Sequence, residues 1–291
     1  MSLHKPTVFE GVATAMITPF HNGEVDYDTF GKLIDIQLQA NISAILVAGT
    51  TGESSTLHLE EHSELIAFAK KRIDGRVPLI AGCGSNSTSH AIKLAQNACE
   101  AGADALLAVT PYYNKASDHG IILHYRAIAD AATKPLILYN VPSRTGFHLT
   151  MQHYRALAKH PNIVGVKEAS SDLELIETLC AECGDDLDIY TGNDSQTVAA
   201  MRLGACGVIS VYSNLYPKTM LDLYRHCTHG NYRAAEALRS ENLARMNSLF
   251  LEINPIPVKY LLSGRGLCEP EYRLPLCPPS VTTKARLKEV F

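Results

Sequence analysis

Charged residues are scarce in this chain of 291 residues, since Asp, Glu, Lys and Arg make up 19% of it. In globular domains about a quarter of all residues are charged. We therefore expect much of the chain to be buried or covered by other subunits. The formal net charge is −4 and the pI is about 6.3. Because an excess of positive charge is missing, the composition gives no reason to expect a nucleic acid or an anionic membrane as a partner.

Long apolar runs are also missing. No run approaches the roughly 18 residues that a membrane span requires, and residues 1–7 hold no apolar signal-peptide core. We therefore expect a cytoplasmic protein with no membrane partner. The eight cysteines do not indicate a disulfide framework, because thiols stay reduced in that compartment.

Short apolar segments alternate with longer helical segments along most of the chain. The apolar segments are nearly continuous, which is typical of parallel strands covered on both faces. We predict eight strands, at Val12–Thr18, Ala44–Ala48, Pro78–Gly82, Ala105–Thr110, Leu136–Asn140, Ile163–Glu168, Asp188–Gly192 and Gly207–Val211. The intervening helices include Tyr27–Ala40, Leu59–Arg72, Ser87–Ala101, Asp118–Ala132 and Leu173–Cys183.

Eight βα units predict a (β/α)8 TIM barrel, a fold of the α/β class. A doubly wound open sheet remains the alternative, because periodicity does not reveal whether a sheet closes. We assign residues 1–215 to the barrel core and residues 216–291 to the last barrel helix and a C-terminal helical extension. This second part is predicted to contain helices at Lys218–His226, Tyr232–Leu251 and Pro257–Ser263, and a final helix from Val281.

Lys167 is the residue that most strongly indicates chemistry, because it follows the buried segment Ile163–Val166 near the end of a strand. Active sites of such barrels lie at the carboxyl ends of the strands. An isolated buried ammonium is costly, so the amine either pairs with an anion or loses its proton. A neutral amine attacks ketones and aldehydes to form a Schiff base. The alternative is a structural ion pair, for which the neighbouring Glu168 is a candidate.

Tyr139 favours the chemical interpretation. It lies near the end of the preceding strand, so it should lie beside Lys167 across adjacent strands. Schiff-base formation moves protons on and off oxygen and carbon, and a phenol near the amine can move them, with Thr50 or Tyr113 as a relay. For any one of these tyrosines, a core aromatic with a satisfied hydroxyl is the usual case.

Two further features suit carboxylate ligands. The segment Gly49–Glu53 offers glycines, threonine hydroxyls and backbone N–H groups, although a plain strand-to-helix turn is an equal alternative. Arg144 lies on a constrained loop, and its planar fork suits a carboxylate held by two hydrogen bonds. A solvated loop arginine is the alternative for this residue.

We predict no metal site. His58 and His62 have the spacing of an inverted zinc-protease motif, but no third ligand is evident and a surface helix is favoured. Cys180 and Cys183 have zinc or redox spacing, but a second pair at ligand spacing is missing. We interpret them as two small residues on a helix.

Five motifs together resemble the dihydrodipicolinate synthase family of pyruvate-dependent class I aldolases. They are Gly49–Ser54, Thr110–Asn114, Tyr139–Gly146, Gly165–Ser170 and Asn254–Lys259. The resemblance extends from about residue 9 to about residue 265. It implies a lyase that joins pyruvate, bound as an imine at Lys167, to L-aspartate 4-semialdehyde. The product would be 4-hydroxy-tetrahydrodipicolinate, in the first committed step of the diaminopimelate and lysine pathway.

The resemblance also implies a proton relay and an assembly. Tyr139, Thr50 and Tyr113 would pass protons, with Tyr113 reaching in from a neighbouring subunit. The family implies a homotetramer built from two tight dimers. Because the lysine itself forms the reactive imine, the resemblance implies no cofactor.

Substrate contacts are implied in the same way. Thr50 and Thr51 would hold the carboxylate of pyruvate, and Arg144 would hold the carboxylate of the semialdehyde. The backbones of Gly192 and Ile209 match positions that line the site.

A possible allosteric cleft is implied at a dimer interface, where lysine inhibits some members of the family. The matching positions are Ser54, Leu59, His62, Asn86, His90 and Tyr112. Lysine-inhibited bacterial members would have a histidine in place of Leu59 and a glutamate in place of His90. We therefore predict weak or absent inhibition by lysine, because its ammonium lacks a charged partner.

Two other functions remain as alternatives. One is a related aldolase that cleaves a sugar-derived 2-keto acid, and the other is a silent member of the superfamily that only binds a small carboxylate. Arg144 and the segment Lys167–Ser170 favour the synthase over the aldolase. The complete set of reactive residues disfavours the silent member.

Overall fold

Eight parallel strands form a closed barrel in the computed structural model, which describes residues 5–291. The strands are β1 Gly11–Ala15, β2 Ala44–Val47, β3 Leu79–Gly82, β4 Ala105–Val109, β5 Leu136–Asn140, β6 Ile163–Glu168, β7 Asp188–Thr191 and β8 Gly207–Ser210. Each strand pairs with its neighbours in the chain, and β8 closes the ring on β1. The predicted TIM barrel is confirmed, and the open-sheet alternative is wrong.

A helix follows each strand. These helices are α1 Tyr27–Gln39, α2 Leu59–Ile73, α3 Thr88–Glu100, α4 Asp118–Ala131, α5 Met151–Leu157, α6 Leu173–Cys183, α7 Thr197–Arg202 and α8 Pro217–Thr228. Three more helices follow, α9 Tyr232–Ser248, α10 Ile256–Gly264 and α11 Val281–Val290. A single helical turn, Pro142–Thr145, lies between β5 and α5 and carries Arg144, which was predicted on a loop. Within residues 5–291, no helix is both long and apolar enough to cross a bilayer. The division between residues 215 and 216 stays a prediction.

The sequence analysis missed the shortest elements. Phe20–His21 and Glu24–Val25 form a small antiparallel hairpin after β1, and α5 and α7 have only seven and six residues. Segments of this length are too short for a periodic pattern to stand out. The first strand also ends at Ala15 rather than at the predicted Thr18, because the N–H of Ile17 donates to Asn214 Oδ1 instead of to a strand.

Two layers of apolar side chains explain why the strands are apolar along nearly their whole length. Alternate residues point into the barrel and form an inner core, which includes Ala13, Leu46, Ile80, Leu107, Ile137, Val164 and Ile209. The residues between them pack outward against the helices. Burial on both faces removes the polar alternation that a half-exposed strand would have.

Phe9, just before β1, forms an aromatic pair with Tyr190 of β7. Phe9 stacks on Tyr190, with ring centroids 4.3 Å apart and an angle of 8° between the planes. The hydroxyl of Tyr190 donates to the carbonyl of Phe9 at 2.8 Å. Phe9 therefore fixes the entry of the chain into the barrel.

The stacked pair predicts a stability effect. Phe9→Ala should lower the free energy of unfolding by about 3 kcal/mol, because it removes a buried ring and leaves a cavity. Urea unfolding followed by circular dichroism measures this loss. Leu274→Ala is the control, since Leu274 is 82% exposed. Equal midpoints for the two variants would contradict the assigned role of Phe9.

Candidate active site

Lys167 and Tyr139 lie side by side near the carboxyl ends of β6 and β5. They are register partners across the two strands, and Lys167 Nζ lies 4.5 Å from the centroid of the Tyr139 ring. Lys167 is 6% exposed and Tyr139 is 7% exposed. The primary amine of a largely buried lysine is therefore held against a phenol ring.

Glu168 faces the other side of the sheet and does not pair with Lys167. Its carboxylate accepts hydrogen bonds from Asn140 Nδ2, at 3.0 Å to each oxygen, and from the Tyr154 hydroxyl at 2.7 Å. The N–H of Ser170 donates a further bond at 2.8 Å. The ion-pair alternative with Glu168 is therefore wrong. Burial and the adjacent carboxylate raise the pKa of Tyr154 well above its usual value, which keeps its hydroxyl a donor.

The hydrogen bonds around Glu168 also fix the relative position of Tyr139 and Lys167. Asn140 and Glu168 are register partners, one residue beyond Tyr139 and Lys167. A shift of either strand by one residue would exchange its inward and outward faces. The bonds between Asn140 and Glu168 therefore hold the register that brings the amine and the phenol together.

Gly192, which follows β7, provides the space for the lysine stem. A Cβ atom at this position would lie 2.9 Å from Lys167 Cε and 2.7 Å from Ala169 Cβ. Contacts below 3.0 Å would force one of these groups to move. A side chain at residue 192 would thus crowd the stem of Lys167 and the neighbouring Ala169.

A cavity of about 740 Å³ opens above Lys167. It brings together six of the predicted catalytic and substrate-binding residues, which are Thr50, Thr51, Tyr139, Arg144, Lys167 and Gly192. Thr51 Oγ1 accepts a hydrogen bond from Asn254 Nδ2 at 3.0 Å. Arg144 donates from Nη2 to the carbonyl of Asn254 at 3.2 Å. The cavity therefore combines an amine, a phenol, two hydroxyls and a guanidinium.

Two predicted residues lie outside this cavity. Ile209 is fully buried in the inner core of the barrel and is not part of the lining. Tyr113 follows β4 and is 92% exposed, with its backbone in the left-handed region at φ 71°. It does not reach the cavity of its own subunit. Its proposed role in a neighbouring subunit stays a prediction.

A second cavity, of about 410 Å³, lies on the other side of Thr50 and Tyr139. Five of the six residues of the predicted cleft line it, namely Ser54, Leu59, His62, His90 and Tyr112. Asn86 does not line it, and its backbone carbonyl accepts a hydrogen bond from Asn114. Both cavities are lined by Thr50, Tyr139, Val141 and Arg144. These four residues form a shared wall between the two spaces.

His62 lies inside the protein and not on a helix surface as predicted. It is 2% exposed, and its Nε2 donates to the carbonyl of Gly82 at 2.7 Å. Burial lowers the pKa of His62, so the ring stays neutral. The surface prediction is wrong because this face of α2 packs against β3. No group of three metal-ligating side chains occurs among residues 5–291.

The sequence analysis did not single out Asp194 and Asn254, which also line the large cavity. Asp194 is 2% exposed, and its Oδ2 accepts the N–H groups of Val211 and Tyr212 at 3.1 and 2.9 Å. Burial raises the pKa of Asp194 above that of an ordinary carboxyl. Asn254 begins one of the five motifs and Asp194 lies two residues beyond a predicted strand, but no spacing pattern marked either residue as part of the site.

The model of the family described as "Dihydrodipicolinate synthetase family" matches residues 8–291. The chain belongs to the dihydrodipicolinate synthetase family. A relative in this family, the 4-hydroxy-tetrahydrodipicolinate synthase of Geobacter sulfurreducens, is 46% identical over 284 residues, which are 98% of each chain. The family resemblance stated from the sequence is therefore confirmed.

Solved structures of the dihydrodipicolinate synthetase family agree with this assignment. The pyruvate complex of the Acinetobacter baumannii dihydrodipicolinate synthase is 40% identical, covers 98% of both chains and has a TM-score of 0.94. The lysine-bound enzyme from Cyanidioschyzon merolae is 37% identical, with 98% of both chains covered and a TM-score of 0.94. The closed barrel and its C-terminal helices are thus the fold of this family.

The close contact between Gly192 and the Lys167 stem predicts that a larger residue at position 192 impairs the reaction of Lys167. Gly192→Ala should slow imine formation at Lys167 about tenfold or more, because misplaced reactive groups lose much of their effective concentration. Trapping with borohydride over time, in the presence of pyruvate, measures this rate. Gly264→Ala is the control, because a Cβ atom there meets nothing within 4 Å. Equal trapping rates in the two variants would contradict the steric argument.

Proposed function

We propose that this chain condenses pyruvate with L-aspartate 4-semialdehyde and gives 4-hydroxy-tetrahydrodipicolinate, through an imine at Lys167. The observation that carries the proposal is the buried Lys167 amine 4.5 Å from the Tyr139 ring centroid, at the floor of the 740 Å³ cavity. The relatives named 4-hydroxy-tetrahydrodipicolinate synthase support the choice of reaction. This reaction is the first committed step toward diaminopimelate and lysine.

The first half of the proposed reaction forms an enamine. The Lys167 amine attacks the ketone carbon of pyruvate, and the carbinolamine loses water to give an imine. Tyr139 provides the proton that leaves with the hydroxyl, and Thr50 passes protons between Tyr139 and its surroundings. Thr50 and Thr51 hold the carboxylate of pyruvate. Loss of a proton from the methyl group then gives the enamine nucleophile.

The second half forms the carbon–carbon bond. The enamine carbon attacks the aldehyde of the semialdehyde, whose carboxylate is held by Arg144. The aldehyde oxygen takes up a proton and becomes a hydroxyl. The amino group of the semialdehyde then replaces the Lys167 nitrogen on the former ketone carbon, which closes the ring and frees the amine. Gly192 leaves room for Lys167 throughout, and no metal or organic cofactor enters the proposed steps.

The proposed working form is a homotetramer built from two dimers. Tyr113 supports contact with a second copy, because a tyrosine that is 92% exposed has little contact with its own subunit. In the proposed assembly Tyr113 completes the relay of the neighbouring site. We also propose a cytoplasmic location, where pyruvate is available, with no nucleic acid or membrane as a partner.

Trapping of the imine tests the proposed function. Incubation with pyruvate and borohydride should add one reduced pyruvyl group per chain, and peptide mapping should place it on Lys167. Lys167→Ala should keep the fold and lose both the added mass and turnover, because no other amine lies at this position. An unchanged mass of the native protein after trapping would overturn the proposal.

The second substrate needs its own assay. We expect turnover with pyruvate and aspartate semialdehyde and none with sugar-derived 2-keto acids. Arg144→Ala should raise the KM for the semialdehyde more than the KM for pyruvate, because only the semialdehyde carboxylate is assigned to Arg144. Cleavage of a 2-keto acid at a comparable rate would favour the related aldolase.

The second cavity predicts weak inhibition by lysine. His90 stands where a carboxylate would meet the ammonium of lysine, and a hydrogen bond to a charged group contributes about 1.5–3 kcal/mol. The native enzyme should therefore keep most of its rate at millimolar lysine. The double variant Leu59→His/His90→Glu should be more sensitive, and His119→Glu on the exposed part of α4 is the charge-matched control. Half-inhibition of the native enzyme by submillimolar lysine would contradict this prediction.

A further inference from the structure

The pair of Lys259 and Glu53 is a fully buried ion pair. Lys259 Nζ lies 2.7 Å from Glu53 Oε1, and both side chains are 0% exposed. It is the one ion pair among residues 5–291 in which neither partner reaches solvent. Removing two charges from water costs about as much as their attraction returns, so such a pair is weak evidence for a role in stability. Its location suggests a different role.

Glu53 belongs to the segment that carries two proposed pyruvate ligands. Thr50 and Thr51 precede Gly52, which lies directly before Glu53 and is closely packed, since a Cβ atom there would lie 3.2 Å from the Met16 carbonyl. The backbone of Glu53 is left-handed, at φ 54°. A non-glycine residue seldom takes this conformation unless the surroundings hold it there. A strong contact at Glu53 therefore restrains the backbone next to Thr51.

The Lys259 side chain is fully buried between the barrel and the C-terminal helical extension. Its ammonium lies 4.1 Å from the ring centroid of Phe20 and 5.3 Å from that of Tyr272. The second oxygen of Glu53 accepts the N–H of Arg273 at 3.3 Å. Burial lowers the pKa of Lys259, and the Glu53 carboxylate opposes this effect. The carboxylate is the anion that compensates this ammonium.

The same part of the extension reaches the site at a second point. Asn254, just before α10, donates to Thr51 Oγ1 at 3.0 Å and accepts from Arg144. Lys259 lies on α10 itself, five residues further along the chain. The segment Gly49–Glu53 is thus bound to the extension at Thr51 and at Glu53, on both sides of Gly52.

We propose that the Glu53–Lys259 ion pair is a positioning device for Thr50 and Thr51, so that Lys259 controls how well the site holds pyruvate. The inference rests on the proposed function, because it assigns these threonines to the pyruvate carboxylate. Lys259 is then a positioning residue and not a catalytic one, since it is sealed off from the cavity.

The test compares three variants with the native enzyme. Lys259→Met and Glu53→Gln each leave one buried charge without its partner, and both should lower the melting temperature. The double variant Glu53→Gln/Lys259→Met leaves no unpaired charge and should recover much of the lost thermal stability. If the pair positions the threonines, the double variant should still show a KM for pyruvate that is raised about tenfold. Misplaced binding groups lose a factor of about ten or more in their effect on the substrate. A purely structural role would restore KM together with the melting temperature.

Lys70→Met is the matched control. It also removes a lysine from an ion pair, with Asp104 at 2.6 Å, but this pair is half-exposed and lies near the amino ends of the strands. Its KM for pyruvate should stay at the native value. KM does not depend on the concentration of active enzyme, so a loss of folded protein does not change it, and kcat is calculated per trapped site.

The outcomes separate the two proposals. If native protein fails to trap pyruvate, the proposed function falls and this inference falls with it. If native protein traps pyruvate and the folded double variant has a native KM, only the positioning role is overturned. A raised KM in the double variant with normal values for Lys70→Met supports the positioning role.

Discussion

A primary amine buried against a phenol ring is the interaction on which the rest of this site depends. The barrel holds the amine against the ring in two ways. Tyr139 and Lys167 are register partners on adjacent strands, and Gly192 has no side chain that would occupy the space of the lysine stem. The fold therefore serves to keep two side chains in a contact that neither would keep in solution.

The outward face of the same strands carries a separate polar network. Glu168 takes hydrogen bonds from Asn140, Tyr154 and the backbone of Ser170. Its charge is thus satisfied by neutral donors and does not compete for Lys167. Neighbouring residues on one strand consequently have distinct tasks, with Lys167 facing the cavity and Glu168 fixing the register from behind.

Much of the fold could be predicted from the sequence, because eight apolar segments separated by helical ones admit few topologies. The pairing of Tyr139 with Lys167 followed from their places near the ends of consecutive strands. What could not be predicted depends on contacts between distant segments. The burial of His62 follows from the rotation of α2 about its axis, and Asn254 reaches Thr51 across 203 positions of the chain. Neither fact has a local pattern in the sequence.

The shared wall between the two cavities has a consequence for redesigning this protein. Thr50, Tyr139, Val141 and Arg144 face both spaces, so reshaping any of them changes two compartments at once. Side chains that belong to one compartment, such as Asn247 for the larger and His90 for the smaller, can be exchanged independently. Altered ligand preference in the smaller compartment is therefore best sought first at residues like His90, leaving the dividing partition intact.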